Sequence, residues 1–171
     1  MKEQPSREEQ LVLETRAAEL AKTNTLCSNA ENELEVVVFS SGRDTYGIES
    51  SFVFEIEKIS NITPLPDSLR GYSGISNFRG TLLPMIDLRK LFGQPQTDQT
   101  EFEYMIVVGR RQVEAGLLTH SVDSIRSISE NLATDTNFIQ ENHQGYIRGI
   151  ASGGMVVLAV DILLDSASRT D

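Results

Sequence analysis

A chain of 171 residues with 39% hydrophobic and 23% charged residues has the length and composition of one globular domain with a real core. Its formal net charge of −10 argues against nucleic acid as the main partner and against direct docking on or insertion into an anionic membrane. Tryptophan is absent and aromatics reach only 6%, so no platform for stacking bases or sugars is expected.

The first ten residues, MKEQPSREEQ, place no apolar run behind a basic start, so no secretory signal is expected. No stretch approaches the ~18 apolar residues of a membrane span, and a cytoplasmic location follows. Residues 6–22 read as a helix. Ser6 and Glu9 have the spacing of a capping box, and Leu13, Ala17 and Leu20 form a narrow apolar stripe. Such a helix is marginal alone in water and is expected to dock on the body or on a partner. Residues 23–33 read as a polar linker. They carry the only cysteine, Cys27, which excludes an intramolecular disulfide and fits a reducing compartment. The chain thus divides into an arm and linker over 1–33 and a domain over 34–168.

From Glu35 the signals are β. The runs VVVF (36–39), TLLPMI (81–86), YMIVV (104–108) and MVVLAV (155–160) are short, β-branched and bounded by turns. Residues 88–92 and 162–167 read as short helices, each with a preceding Asp, Asp87 or Asp161, as N-cap. A polar loop over 93–101 separates two similar halves, about 35–93 and 102–165. Gly47 precedes Val53 by six positions and Gly116 precedes Val122 by six; Ile56 and Ile125 follow three further on. Gly80 precedes Asp87 by seven, and Gly154 precedes Asp161 by seven. One β unit used twice predicts two small, strongly bent sheets on a shared core.

The segment GISNFRGTLLPMIDLRKLFG (74–93) resembles the signature of the CheW domain family. Tyr46-Gly47-Ile48 and Val53-Phe54-Glu55-Ile56 fall where that family places its upstream elements, and Thr63 and Pro66 fall in its connecting loop. Gly116-Leu117-Leu118, Val122, Tyr146-Ile147-Arg148-Gly149-Ile150 and Asp161 resemble its downstream ones. The resemblance runs from about Glu35 to Ala167. It implies a mostly β fold of two SH3-like five-stranded β-barrel subdomains sharing a core, here with an N-terminal α-helix and short capping helices. It also implies a non-catalytic scaffold that joins the cytoplasmic tips of methyl-accepting chemoreceptors to the regulatory domain of a CheA-type histidine kinase. No substrate, cofactor or metal is implied. The protein is expected in the cytoplasm, recruited to membrane-associated receptor arrays, with weak self-association as a further expectation.

Carried over residue by residue, Val53, Glu55, Gly74, Asn77, Arg79, Gly80 and Val122 are the receptor- or kinase-binding set. Gly47, Asp87, Arg89, Gly116, Gly149 and Asp161 are structural. Arg79 offers a planar fork for a partner's carboxylate or carbonyls, or else an internal salt bridge between the barrels. Gly80 is expected to let backbone approach closely beside it. Val53 and Glu55, two apart on a strand, are expected on one face, an apolar group beside a charge as at an interface rim. For Gly74 and Val122, a turn glycine and a core valine are the alternatives. Arg79→His is expected to weaken assembly and leave the fold intact.

Two departures from the family pattern are visible: Pro64 and Pro66 stiffen their loop, and His120 stands where relatives often carry an acid. Residues 129–144 read as a polar loop. A decoy or regulator in a twitching or developmental system remains as an alternative role. A small hydrolase using His120, Ser121 and Asp123 is a weaker one, because neighbours on a strand point to alternating faces.

Overall fold

The computed structural model describes residues 33–65, 71–95, 101–133 and 145–168. The expected helix over 6–22, the linker up to residue 32, Pro66 and most of the loop over 129–144 lie outside them. The strands are β1 (Glu33–Ser41), β2 (Asp44–Glu49), β3 (Val53–Lys58), β4 (Thr63–Pro64), β5 (Tyr72–Phe78), β6 (Thr81–Ile86), β7 (Tyr104–Gly109), β8 (Val113–Thr119), β9 (Ser121–Ser129), β10 (Ile147–Ala151) and β11 (Met155–Leu158). Helix α1 (Leu88–Leu91) follows β6, and α2 (Val160–Ser168) follows β11.

The fold is mostly β, in two sheets. The first runs β10-β11-β2-β1-β9; the second runs β4-β5-β6-β8-β7-β3 when read in the matching direction. Set side by side, the orders are the same repeat unit with its parts exchanged. Each sheet takes its central hairpin from one half of the chain and its flanking strands from the other. Parallel contacts join the halves at equivalent places, Val157 beside Gly47 and Met85 beside Gly116. The sixth strand, β4, is a two-residue edge piece pairing Thr63 with Ile75 and Pro64 with Gly74. In the first sheet its counterpart is a single bridge, Ala133 to Ile150.

Three apolar clusters explain the uninterrupted β-branched runs. In β1, Val37 and Phe39 face a core shared by both sheets, whereas Val36 and Val38 face a core inside the first sheet. In β7, Ile106 and Val108 face the shared core, whereas Met105 and Val107 face a core inside the second. A strand buried on both faces has no polar face to alternate, and VVVF is the result. Helix α2 adds Val160, Leu163 and Leu164 to the shared core, and α1 adds Leu88.

The helices latch hairpins of the opposite sheet. Arg89 of α1 lies against the β1–β2 turn at Gly42, and Gln94 just beyond α1 hydrogen-bonds Asp44 and the Tyr46 hydroxyl. Burial pushes that phenol well above its ordinary range, and the nearby Asp44 charge adds to the shift. Asp165 of α2 pairs with Arg110 in the β7–β8 turn at 2.7 Å. Arg110 in turn holds the Glu114 carboxyl below the usual carboxylate range, chiefly by hydrogen bonding.

The central-hairpin glycines make close packing places. A Cβ on Gly116 would lie 2.7 Å from Sδ of Met85, which is fully buried; one on Gly47 would lie 3.2 Å from Sδ of Met155, which is 7% exposed. Overpacking a site that cannot relax costs ~1–3 kcal/mol. Gly116→Ala is therefore expected to destabilise the domain by about 2 kcal/mol, and Gly47→Ala by less than half as much. Urea unfolding of both variants checks the order.

Of the two expected N-caps, only the first is one. Asp87 caps α1, its Oδ1 accepting the Arg89 N–H at 2.9 Å. Asp161 does not cap α2; it is exposed and lies second in the helix. The reason is strand length: β6 spends six residues where β11 spends four, so α2 starts earlier relative to its glycine. Ala159 takes the place of Asp87, its carbonyl accepting from Leu163 N as that of Asp87 accepts from Leu91 N. Within the first turn, Asp161 still complements the helix dipole.

Candidate docking site at the β5–β6 turn

Phe78 pairs with Thr81, so β5 and β6 are joined by the two residues Arg79 and Gly80. Both have positive φ, +51° for Arg79 and +87° for Gly80. That is the type I′ pattern, whose twist suits a hairpin and whose preferred sequence is Asn-Gly. Arg79 is the one non-glycine residue with positive φ among the described residues. A bulky side chain there is uncommon and costs conformational energy, which singles the position out.

Around this turn four of the sequence-predicted residues meet, Glu55, Asn77, Arg79 and Gly80. Arg79 Nη2 lies 2.6 Å from Glu55 Oε1 and 3.8 Å from Glu57 Oε1, and its guanidinium sits 5.0 Å from the Phe78 ring centroid. Asn77 Oδ1 accepts the Gly80 N–H at 2.8 Å. Glu55 and Glu57 belong to β3, the far edge of the same sheet, so that sheet curls until its edge meets the hairpin tip. The salt bridge is therefore within one sheet and does not hold two barrels in register. Arg79 keeps 66% of its side chain exposed and Glu55 32%, which leaves guanidinium donors available to a partner. Leu82, 68% exposed and paired with Asn77, adds an apolar flank.

Val53 and Glu55 do not share a face. The pairing of β3 with β7 slips between them: Val53 lies opposite Val108 and Glu55 opposite Val107, which point to opposite sides. This β-bulge breaks the period-two rule. Val53 packs against the shared core, and Glu55 turns towards Arg79. The adjoining Phe54 is left 47% exposed. Val122 packs against the shared core from the first sheet, as Val53 does from the second.

Two glycines also depart from expectation. Nothing lies within 4 Å of a Cβ built on Gly80, so its role is the left-handed turn and not a close backbone approach. Gly74 is buried inside β5, neither in a turn nor on a surface; a Cβ there would lie 2.4 Å from Ile62 Cγ2 and 2.5 Å from the Thr63 carbonyl oxygen. Gly149 in β10 repeats this, with Leu132 Cβ at 2.5 Å. Both let a crossing segment lie on the strand.

Asp87 and Arg89 form a buried strut. Asp87 accepts from Arg89 Nε and Nη2, each at 3.2 Å, and from Ser73 Oγ at 3.4 Å. The Arg89 guanidinium stacks 4.0 Å from the Phe102 ring centroid. The His120 ring lies 4.8 Å from that of Phe102, and its Nδ1 accepts the Gly42 N–H at 3.1 Å. Ser121 hydrogen-bonds Ser40 and Asp123. Of the three residues of the hydrolase alternative, Ser121 and Asp123 thus bond each other, whereas Nδ1 of His120 is taken by a backbone N–H. No group of three or more His, Cys, Asp or Glu is placed to hold a metal ion among the described residues. Nor is any helix among them long and apolar enough to cross a membrane.

Sequence reasoning missed Glu57, Phe78 and Phe54. The alternating acids of VFEIEK were a usable signal for Glu57, and the aromatic preceding the arginine was one for a cation–π contact. Phe54 owes its exposure to the bulge, which VFE does not announce.

The family model for the CheW-like domain matches residues 35–167, which takes in both sheets and both helices. This chain belongs to the CheW-like domain family. It is 28% identical over 130 residues to the chemotaxis protein CheW of Klebsiella aerogenes, covering 75% of this chain and 78% of that one. With the chemotaxis protein CheW of Thermotoga maritima it shares 26% identity over 135 residues, 79% of this chain and 89% of the other. The crystal structure of scaffolding protein TtCheW from Thermoanaerobacter tengcongensis superposes with a TM-score of 0.61 at 29% identity, over 73% of this chain and 88% of that one. The two-sheet CheW-like domain described above is thus the family's fold. That structural neighbour is named a scaffolding protein.

Proposed function

We propose that this CheW-like domain is a non-catalytic scaffold coupling the cytoplasmic tips of methyl-accepting chemoreceptors to the regulatory domain of a CheA-type histidine kinase. The observation that carries the reading is the extent of the family match, which covers both sheets of the domain. The exposed, conformationally costly Arg79 turn supports it from the side of physics, since a charged fork is kept where Asn or Gly would fold more easily. The protein acts in the cytoplasm and reaches the membrane only through the receptors. Coupling arises because simultaneous docking favours one kinase state, which requires different contacts with the two states.

Co-sedimentation tests this directly. Assembled receptor hairpin fragments are pelleted with kinase, with and without the full chain, and autophosphorylation is measured in the pellet. The expected result is kinase recovery that depends on this protein, with an activity different from that of free kinase. Recovery with unchanged activity is the outcome for a decoy and rejects coupling. No recovery rejects the scaffold itself.

A further inference from the structure

We infer that Asn77 is a positioning residue for Arg79: its side-chain carbonyl holds the β5–β6 turn in the left-handed form that aims the guanidinium. The inference rests on the proposed docking role of Arg79 and deepens it. It reassigns Asn77 from a partner contact to an internal restraint.

The geometry carries the assignment. Type I′ turns are favoured by Asn or Gly at the first central position, because the chain there must adopt positive φ. Here that position holds Arg79 at φ +51°, with only the second position filled by glycine. Something else must hold the turn. Asn77 stands one residue before the turn, and its Oδ1 accepts from Gly80 N at 2.8 Å. This bond ties the second central residue back across Arg79 to strand β5. Were Arg79 to relax to negative φ, the Gly80 N–H would swing away from that oxygen. The turn conformation and the bond therefore stand or fall together.

What the turn fixes is direction. From its left-handed backbone the Arg79 side chain lies against the Phe78 ring and reaches Glu55 at 2.6 Å. A relaxed turn starts the same side chain along another vector, and a fork that binds bidentately is sensitive to its angle of approach.

The test is a double-mutant cycle in the full chain, read by capture on the assembled receptor hairpin fragments. Asn77→Ala is expected to weaken capture about tenfold, equivalent to roughly 1.4 kcal/mol. Asn77→Asp keeps the accepting oxygen and is expected to remain within about threefold of the parent, at most about half of that loss on the free-energy scale. On an Arg79→Gly background, Asn77→Ala is expected to add less than about twofold, because a residue acting through Arg79 has nothing left to act on. A loss that persists on that background, or an Asp variant as weak as the Ala variant, makes Asn77 a partner contact and overturns the inference. A second arm needs no partner: backbone three-bond couplings at Arg79 should report departure from positive φ in Asn77→Ala. Unchanged couplings overturn the inference whatever the capture result. Full capture by Arg79→Gly alone instead removes Arg79 from the docking site, a failure of its docking role that the coupling measurement tells apart.

Discussion

Gly74→Ala should destabilise the whole domain by about 3 kcal/mol, the upper end for forcing a methyl into a packed site. At this size that lowers the thermal midpoint by roughly 6–12 °C. The added carbon meets Ile62 Cγ2 at 2.4 Å and the Thr63 carbonyl oxygen at 2.5 Å, and the second of these is backbone. A side chain could rotate aside, but a strand must lift. Lifting β4 breaks its pairing with β5 and draws Ile62 off the core inside the second sheet. Receptor capture, measured well below the new midpoint and corrected for folded fraction, should match the parent. A variant that melts normally yet loses capture would return Gly74 to the docking surface and defeat the packing argument. Scanning calorimetry beside the pelleting assay separates the two outcomes.

How far the sequence disclosed this fold depended on which physical regularity was used. Runs such as VVVF and YMIVV announced strands, and both lie in strands whose alternate residues feed two cores. The internal repeat was legible from the Gly47 and Gly116 spacings, because both glycines sit at the same parallel contact. The exchange of strands between halves was not legible, since nothing in a repeat says whether a hairpin pairs within its own copy. Spacing misled once: seven residues separate Gly80 from Asp87 and Gly154 from Asp161, yet two residues that extend strand β6 already belong to helix α2's side in the second copy.

The site was legible in its residues and less so in their geometry. Arg79, Glu55, Asn77 and Gly80 were named together and meet around one turn. The period-two argument failed at Val53 and Glu55 because a bulge needs no special residue to mark it, and Val-Phe-Glu carries none. Gly80 was read as a place of close approach when its backbone handedness is what matters. The strain at Arg79 could not be read at all: arginine fits any ordinary strand or turn, and only the backbone φ shows the position to be unusual.

That strain makes Arg79→Gly the sharpest separation of folding from docking. Glycine adopts positive φ freely, so the turn gains about 1 kcal/mol that arginine forfeits there. Against this stand the bridge to Glu55, between a side chain 66% exposed and one 32% exposed, and the contact with Phe78. An exposed ion pair contributes about 0–1 kcal/mol and an exposed cation–π contact about 0.5–1 kcal/mol. The terms nearly cancel, and the thermal midpoint should stay within about 2–4 °C of the parent, the equivalent of 1 kcal/mol. Docking has no such compensation. A charge-assisted hydrogen bond to a partner contributes about 1.5–3 kcal/mol, so capture of receptor and kinase should fall at least about tenfold. A variant that folds as well as the parent and assembles as well would show that arginine is kept at a costly position for some other reason. One that folds as well and fails to assemble places the cost where the proposed function requires it, in a side chain held ready for a partner at the expense of its own turn.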